Sequence, residues 1–144
     1  MSLIPLNRTP ATMRRFLYCL LAALPAASAS AAPTATTPTP QDYSAAKALA
    51  DHDEAMLPTS LSERLHTLQR AALEEGVTNC ATPRPDTSAF VIVVQLQADG
   101  SVGASWRNGT TPLAQCLERF LRQRPLLAPP RAPLYLSYEV SFEK

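Results

Sequence analysis

Hydrophobic positions change rhythm several times along the chain, and each change predicts an element. From Phe16 to Leu24 the run is apolar at nearly every position, whereas residues 32–40 carry no large apolar side chain at all. Residues 44–57 are alanine-rich, with Ala46, Leu49, Ala50, Met56 and Leu57 as apolar members. Ser44 is placed to cap a short helix there, and Pro58 to stop it. Ser60-Leu61-Ser62-Glu63 has the spacing of a capping box, in which serine and glutamate satisfy two orphan amides reciprocally. Leu61, Leu65, Leu68 and Ala72 follow at helical intervals, and Gly76 is the expected stop. Thr78 to Thr87, with Cys80, Pro83 and Pro85, reads as a loop.

The rhythm then becomes that of strands. Phe90-Val91-Ile92-Val93-Val94-Gln95-Leu96 is β-branched and almost continuously apolar, as befits a strand with neighbours on both edges. Ala98-Asp99-Gly100-Ser101 supplies tight-turn chemistry. Ser101 to Trp106 returns, with Val102, Ala104 and Trp106 expected on one face. After an Asn108-Gly109 turn, Thr111-Pro112 opens a helix over 112–123, with Leu113, Cys116, Leu117, Phe120 and Leu121 on one stripe. Prolines 125, 129, 130 and 133 stiffen the next connection. The last strand, 134–142, alternates: Leu134, Leu136, Tyr138, Val140 and Phe142 are expected inward, and Tyr135, Ser137, Glu139 and Ser141 outward.

This order predicts an α+β fold, two helices followed by a β-β-α-β unit with one helix packed on a small antiparallel or mixed sheet. A right-handed crossover places the third strand beside the first, in order 2-1-3. The continuous apolar run then lies centrally, one sheet face is covered and the outer strands have exposed edges.

Composition adds a location. Met13-Arg14-Arg15, the apolar run and Ala26-Ala27-Ser28-Ala29-Ser30-Ala31 form the basic, apolar and small-residue parts of a secretory signal. Residues 1–31 therefore read as a signal peptide with Met13 as the natural start, 32–40 as a Pro/Thr/Ala spacer, and 41–144 as a single domain. The alternative is an uncleaved signal anchor, although the apolar run is short of the ~20 residues a membrane span needs. Without the signal, ten Lys and Arg remain against twelve Asp and Glu, and the formal net charge moves from +1 to −2. That leaves no positive excess for nucleic acid. Cys19 goes with the signal, leaving Cys80 and Cys116. In an exported chain this even pair reads as one disulfide, with two separate buried thiols as the alternative. The expected location is outside the cytoplasm.

The strand Phe90–Leu96, the Asp99-Gly100 turn, the capped helix bearing Leu113 and Cys116, the proline-rich connection and the ending Leu134-Tyr135-Leu136-Ser137-Tyr138-Glu139-Val140-Ser141-Phe142 resemble the C-terminal domain of the TonB-like family. The resemblance covers about residues 80–144. It implies a periplasmic module that works by binding, often through strand addition at a sheet edge to a short segment of a partner. Two departures stand out: Arg124-Pro125-Leu126-Leu127 replaces an aromatic corner, and Pro129-Pro130-Arg131 stands where a Gly-Gly turn is common. The long Pro/Lys spacer of an energy transducer is also missing, which points to a soluble or accessory role.

Catalytic chemistry finds little to stand on. Asp51-His52-Asp53-Glu54 is the densest polar cluster, and on a helix consecutive residues diverge, so it reads as a solvated face. The serines lack a glycine elbow, and 4 Gly include no phosphate-cradling loop. The expectation is a non-enzyme without metal or cofactor, whose partner is an envelope protein or peptide segment. Candidate partner-binding residues are Arg119, Arg122, Arg124 and Arg131 on a basic rim, and Tyr135, Ser137 and Glu139 on the last strand. The second candidate function is an inhibitor or immunity-type protein that blocks an envelope or secreted enzyme through a loop or that rim. The basic rim also has an internal explanation, packing against the acidic N-terminal helices.

Overall fold

The computed structural model describes residues 39–143. The expected signal peptide and most of the expected spacer lie outside the described residues. Six elements follow in the order α1 (Tyr43–Ala55), α2 (Thr59–Cys80), β1 (Phe90–Leu96), β2 (Val102–Asn108), α3 (Pro112–Arg122) and β3 (Leu134–Val140). The fold is α+β. Its three strands are ordered β2-β1-β3, and β1 pairs antiparallel with both neighbours.

The central strand behaves as its composition requires. Ile92, Val94 and Leu96 point to one face, where Leu113, Leu117 and Leu121 of α3 and Leu65 and Ala72 of α2 complete the main core with Leu134, Leu136 and Tyr138. Val93 points to the other face and packs with Ala46 and Ala50 of α1 and with Tyr135. Gln95, the one polar residue of the run, is satisfied by the Tyr135 hydroxyl, 2.7 Å from its Nε2. Both faces of the sheet are therefore covered. The expectation of one open face is corrected: the alanines of α1 let that helix lie close to the sheet over β3, and Tyr135 is only 2% exposed.

Three further differences have local causes. The register slips between Gln95 and Leu96, so Gln95 opposes Ala104 while Leu96 opposes Val102. Gly103 is the extra residue of a bulge, which puts Val102 on the main-core face and leaves Ala104 and Trp106 on the other. The strand β3 ends at Val140, opposite Phe90, where its partner begins; Phe142 lies beyond the pairing and is exposed rather than inward. Helix α2 runs through Gly76 to Cys80 instead of stopping. A Cβ on Gly76 would meet Leu117 and lie 2.8 Å from Cδ1 of Phe120, so the glycine is where α3 crosses closely.

The caps also divide. Thr111 accepts the Ala114 amide at 3.1 Å, with proline in the first turn of α3, as expected. For α1 the cap is Asp42, not Ser44, accepting from Ala45 at 2.8 Å. The expected box at Ser60 and Glu63 does not form, because α2 starts at Thr59 and Ser60 already lies inside it. The carbonyl of Pro58 accepts from Leu61 and Ser62 instead. Gly100 takes φ +82° in the hairpin turn, and Asp99 accepts from the Ser101 amide and hydroxyl at 2.9 and 2.6 Å. Cys80, the last residue of α2, is bonded to Cys116 on α3, with Cα atoms 5.8 Å apart. Closing a loop of 36 residues contributes about 3–4 kcal/mol on the loop-entropy argument. Among the described residues no helix is long and apolar enough to cross a membrane.

Candidate functional site

An open sheet ends in two edges, and each leaves every second residue with its amide and carbonyl pointing outward. On β3 the outward residues include Tyr135 and Ser137. The Tyr135 amide donates to Asp53 Oδ2 at 3.0 Å, and the Ser137 amide to Glu54 Oε1 at 2.6 Å. The Ser137 carbonyl accepts from Nε2 of Gln69 on α2 at 3.2 Å. Two side chains from the end of α1 and one from α2 thus stand where the backbone of another strand would lie. The β3 edge is closed at its centre.

This corrects the solvated-face interpretation of Asp51-His52-Asp53-Glu54. Asp51 and His52 are exposed, but Asp53 is buried and Glu54 half-buried. The second oxygen of Asp53 accepts from Arg131 Nη2 at 3.2 Å. Burial pushes the Glu54 carboxyl above its ordinary value, and the hydrogen bonds from Ser137 oppose that shift. Beside them, Lys47 bridges Asp51 and Glu139, lying 3.0 Å from the latter, and these acids hold its ammonium well above the usual range.

The β2 edge is built differently. Because Tyr135 and Ser137 point outward from β3, their partners Gln95 and Val93 turn their backbone groups toward β2. Those groups meet Ala104 and Trp106, so the outward residues of β2 are Ser105 and Arg107. Among the described residues, nothing hydrogen-bonds to their backbone amides or carbonyls. Their side chains turn to α3, where Glu118 accepts from Ser105 Oγ at 2.8 Å and from Arg107 Nε at 2.9 Å. Trp106 lies on the opposite face, half-buried, its ring centroid 6.0 Å from that of Tyr135.

The candidate partner-binding residues do not form one patch. Arg119 and Arg122 are exposed on α3 and make no ion pair among the described residues. Arg124 pairs with Glu75 of α2, its guanidinium 5.8 Å from the Phe120 ring centroid. Arg131 is held by Asp53 of α1. Half of the basic rim thus does face the acidic N-terminal helices. Tyr135 is buried, Ser137 is occupied by Glu54 and Gln69, and Glu139 is exposed but paired with Lys47. The outward face once assigned to these three is the floor beneath α1. Asp53, Glu54 and Gln69 escaped the sequence reading as edge-closing residues and Arg107 as part of the open edge, whereas Ser105 is outward-facing as expected. The adjacent carboxylates just before Pro58 are the only sequence signal of the former. Among the described residues, no group of three or more His, Cys, Asp or Glu is placed to hold a metal ion.

No family model, curated protein or solved structure matches the chain.

Proposed function

We propose that this chain is a non-catalytic protein-binding module of the bacterial cell envelope, exported to the periplasm, that takes up a partner segment by strand addition at the outer edge of β2. The observation that carries this proposal is the asymmetry of the sheet. Side chains of α1 and α2 fill the centre of the β3 edge, while the outward backbone groups of Ser105 and Arg107 on β2 have no partner among the described residues. A peptide backbone supplies the complementary donors and acceptors, the means by which sheet edges capture extended segments. The β-β-α-β order supports the likeness to TonB C-terminal domains, with the docking edge moved from β3 to β2. The cysteine pair supports an oxidising compartment. An inhibitor acting through the arginine rim has less to work with, because Arg124 and Arg131 are already paired.

The test is capture from an envelope extract by wild-type protein, by Ser105→Pro and by Arg131→Glu. Proline at Ser105 removes an outward amide and no ladder hydrogen bond, so the fold should persist, checked by circular dichroism. Ser105→Pro should lose the partner, and Arg131→Glu should keep it. A partner retained by Ser105→Pro and lost by Arg131→Glu would overturn the proposal in favour of the rim.

A further inference from the structure

Resting on strand addition at β2, the chemistry on either side of that edge specifies the strand that fits. A strand laid against β2 alternates its side chains between the two faces of the sheet. On the face shared with α1, its neighbours are Ala104 and Trp106, an apolar strip continuous with Val93 and Tyr135. Trp106 is half-buried, and among the described residues β2 has no outer neighbour strand to cover the remainder of its ring.

On the other face the neighbours are Ser105, Arg107 and the flank of α3. The helix runs back along the strand: Gln115 donates to the carbonyl of Thr110, just past the end of β2, and Glu118 reaches Arg107 and Ser105. Arg122 follows Glu118 by one helical turn on the same side, and Arg119 adjoins it. Glu118 is neutralised by Arg107, whereas Arg119 and Arg122 are exposed with no acid in ion-pair range among the described residues. Of the acids on the N-terminal helices, Glu75 is taken by Arg124, and Asp53 and Glu54 lie at the β3 edge. The net character of this flank is cationic.

We infer that the segment bound at β2 is an amphipathic acidic strand, with Asp or Glu on the alternate positions facing α3 and apolar side chains on those facing Trp106. A second copy of this chain fits poorly. Antiparallel pairing of two β2 strands about a two-fold axis through the sheet puts both α3 flanks on one face, cation beside cation.

Trp106 is the sole tryptophan, so its fluorescence reports occupancy of this edge. Four end-blocked heptapeptides, matched to the seven residues of β2, separate the terms. One alternates valine with glutamate, one alternates valine with lysine, and the other two are the glutamate peptide N-methylated at alternate residues, one in each register. The glutamate peptide should saturate the fluorescence change and bind about tenfold more tightly than the lysine peptide at low salt, the gap narrowing as salt rises. In Arg119→Ser/Arg122→Ser, two exposed substitutions, the gap should shrink to within about threefold. N-methylation on the register that faces β2 should abolish binding. Equal binding of the two charged peptides, with N-methylation of one register still blocking the glutamate peptide, would overturn the acidic preference and leave strand addition standing. Undiminished binding of both N-methylated registers would overturn strand addition itself. No saturable change with any peptide would overturn both.

Discussion

Asp53 serves two masters through its two oxygens, the buried amide of Tyr135 and the exposed guanidinium of Arg131. The two bonds differ in worth. An exposed arginine loses little when its partner goes, because water replaces it. A buried amide left without an acceptor bears its full desolvation cost, about 1–3 kcal/mol. Asp53→Ala should therefore lower the unfolding free energy, measured by urea titration, by about 1–3 kcal/mol and speed exchange of the Tyr135 amide, while Arg131→Ala should do little to either. Glu54 next to it gives a pH dependence. Burial raises its folded pKa above the unfolded value near 4.5, which favours the protonated form. Its contribution is complete below the unfolded pKa and is lost as pH rises through the folded one. Glu54→Gln keeps an acceptor for Ser137 but cannot ionise. Between about pH 4 and 7, the stability difference between variant and wild type should move in the variant's favour, measured by urea unfolding at each pH. Movement the other way would mean that the Ser137 hydrogen bonds outweigh desolvation.

Helices and strands show which features local sequence can announce. The strand β1 has its expected bounds, Phe90 to Leu96, because a continuous β-branched run answers only to its own composition. Thr111-Pro112 and Asp99-Gly100 were equally legible, since cap and turn chemistry are settled within three or four residues. Gly76 shows the opposite. In sequence it is a stop signal; in the structure α2 passes through it, and what matters is the absent Cβ beside Leu117 and Phe120 of α3. The bulge at Gly103 and the seat of α1 were hidden for the same reason, since each depends on contacts with residues distant in sequence. Gly76→Ala separates the two roles of the glycine. Helix propensity alone favours alanine by about 1 kcal/mol. Overpacking against α3 opposes it by about 1–3 kcal/mol. The substitution should lower the thermal midpoint, and a rise would show that α3 can yield at no cost.

At the scale of the whole molecule, the two helices before the sheet convert a symmetric three-stranded unit into one with, among the described residues, a single open edge. Helix α1 covers the second face with alanines, then turns Asp53 and Glu54 onto the rim of β3; α2 follows with Gln69. Natural sheets protect their edges against unwanted pairing, and here the protection is confined to one side. The difference should be visible in amide exchange of the free protein. Ala104 and Trp106 donate into the ladder and should exchange slowly, as should Tyr135 and Ser137, whose amides are held by carboxylates. Ser105 and Arg107 alternate with the slow residues on the same strand, and their amides should exchange close to the rate of an unstructured peptide, read by NMR. The alternation on β2 is the decisive signature, because general fraying of the strand would speed all four of its residues together. Protection of Ser105 and Arg107 that disappears on dilution would place a second copy of the chain on this edge. Protection that persists on dilution would mean the edge is closed within the monomer, and strand addition at β2 would have no site.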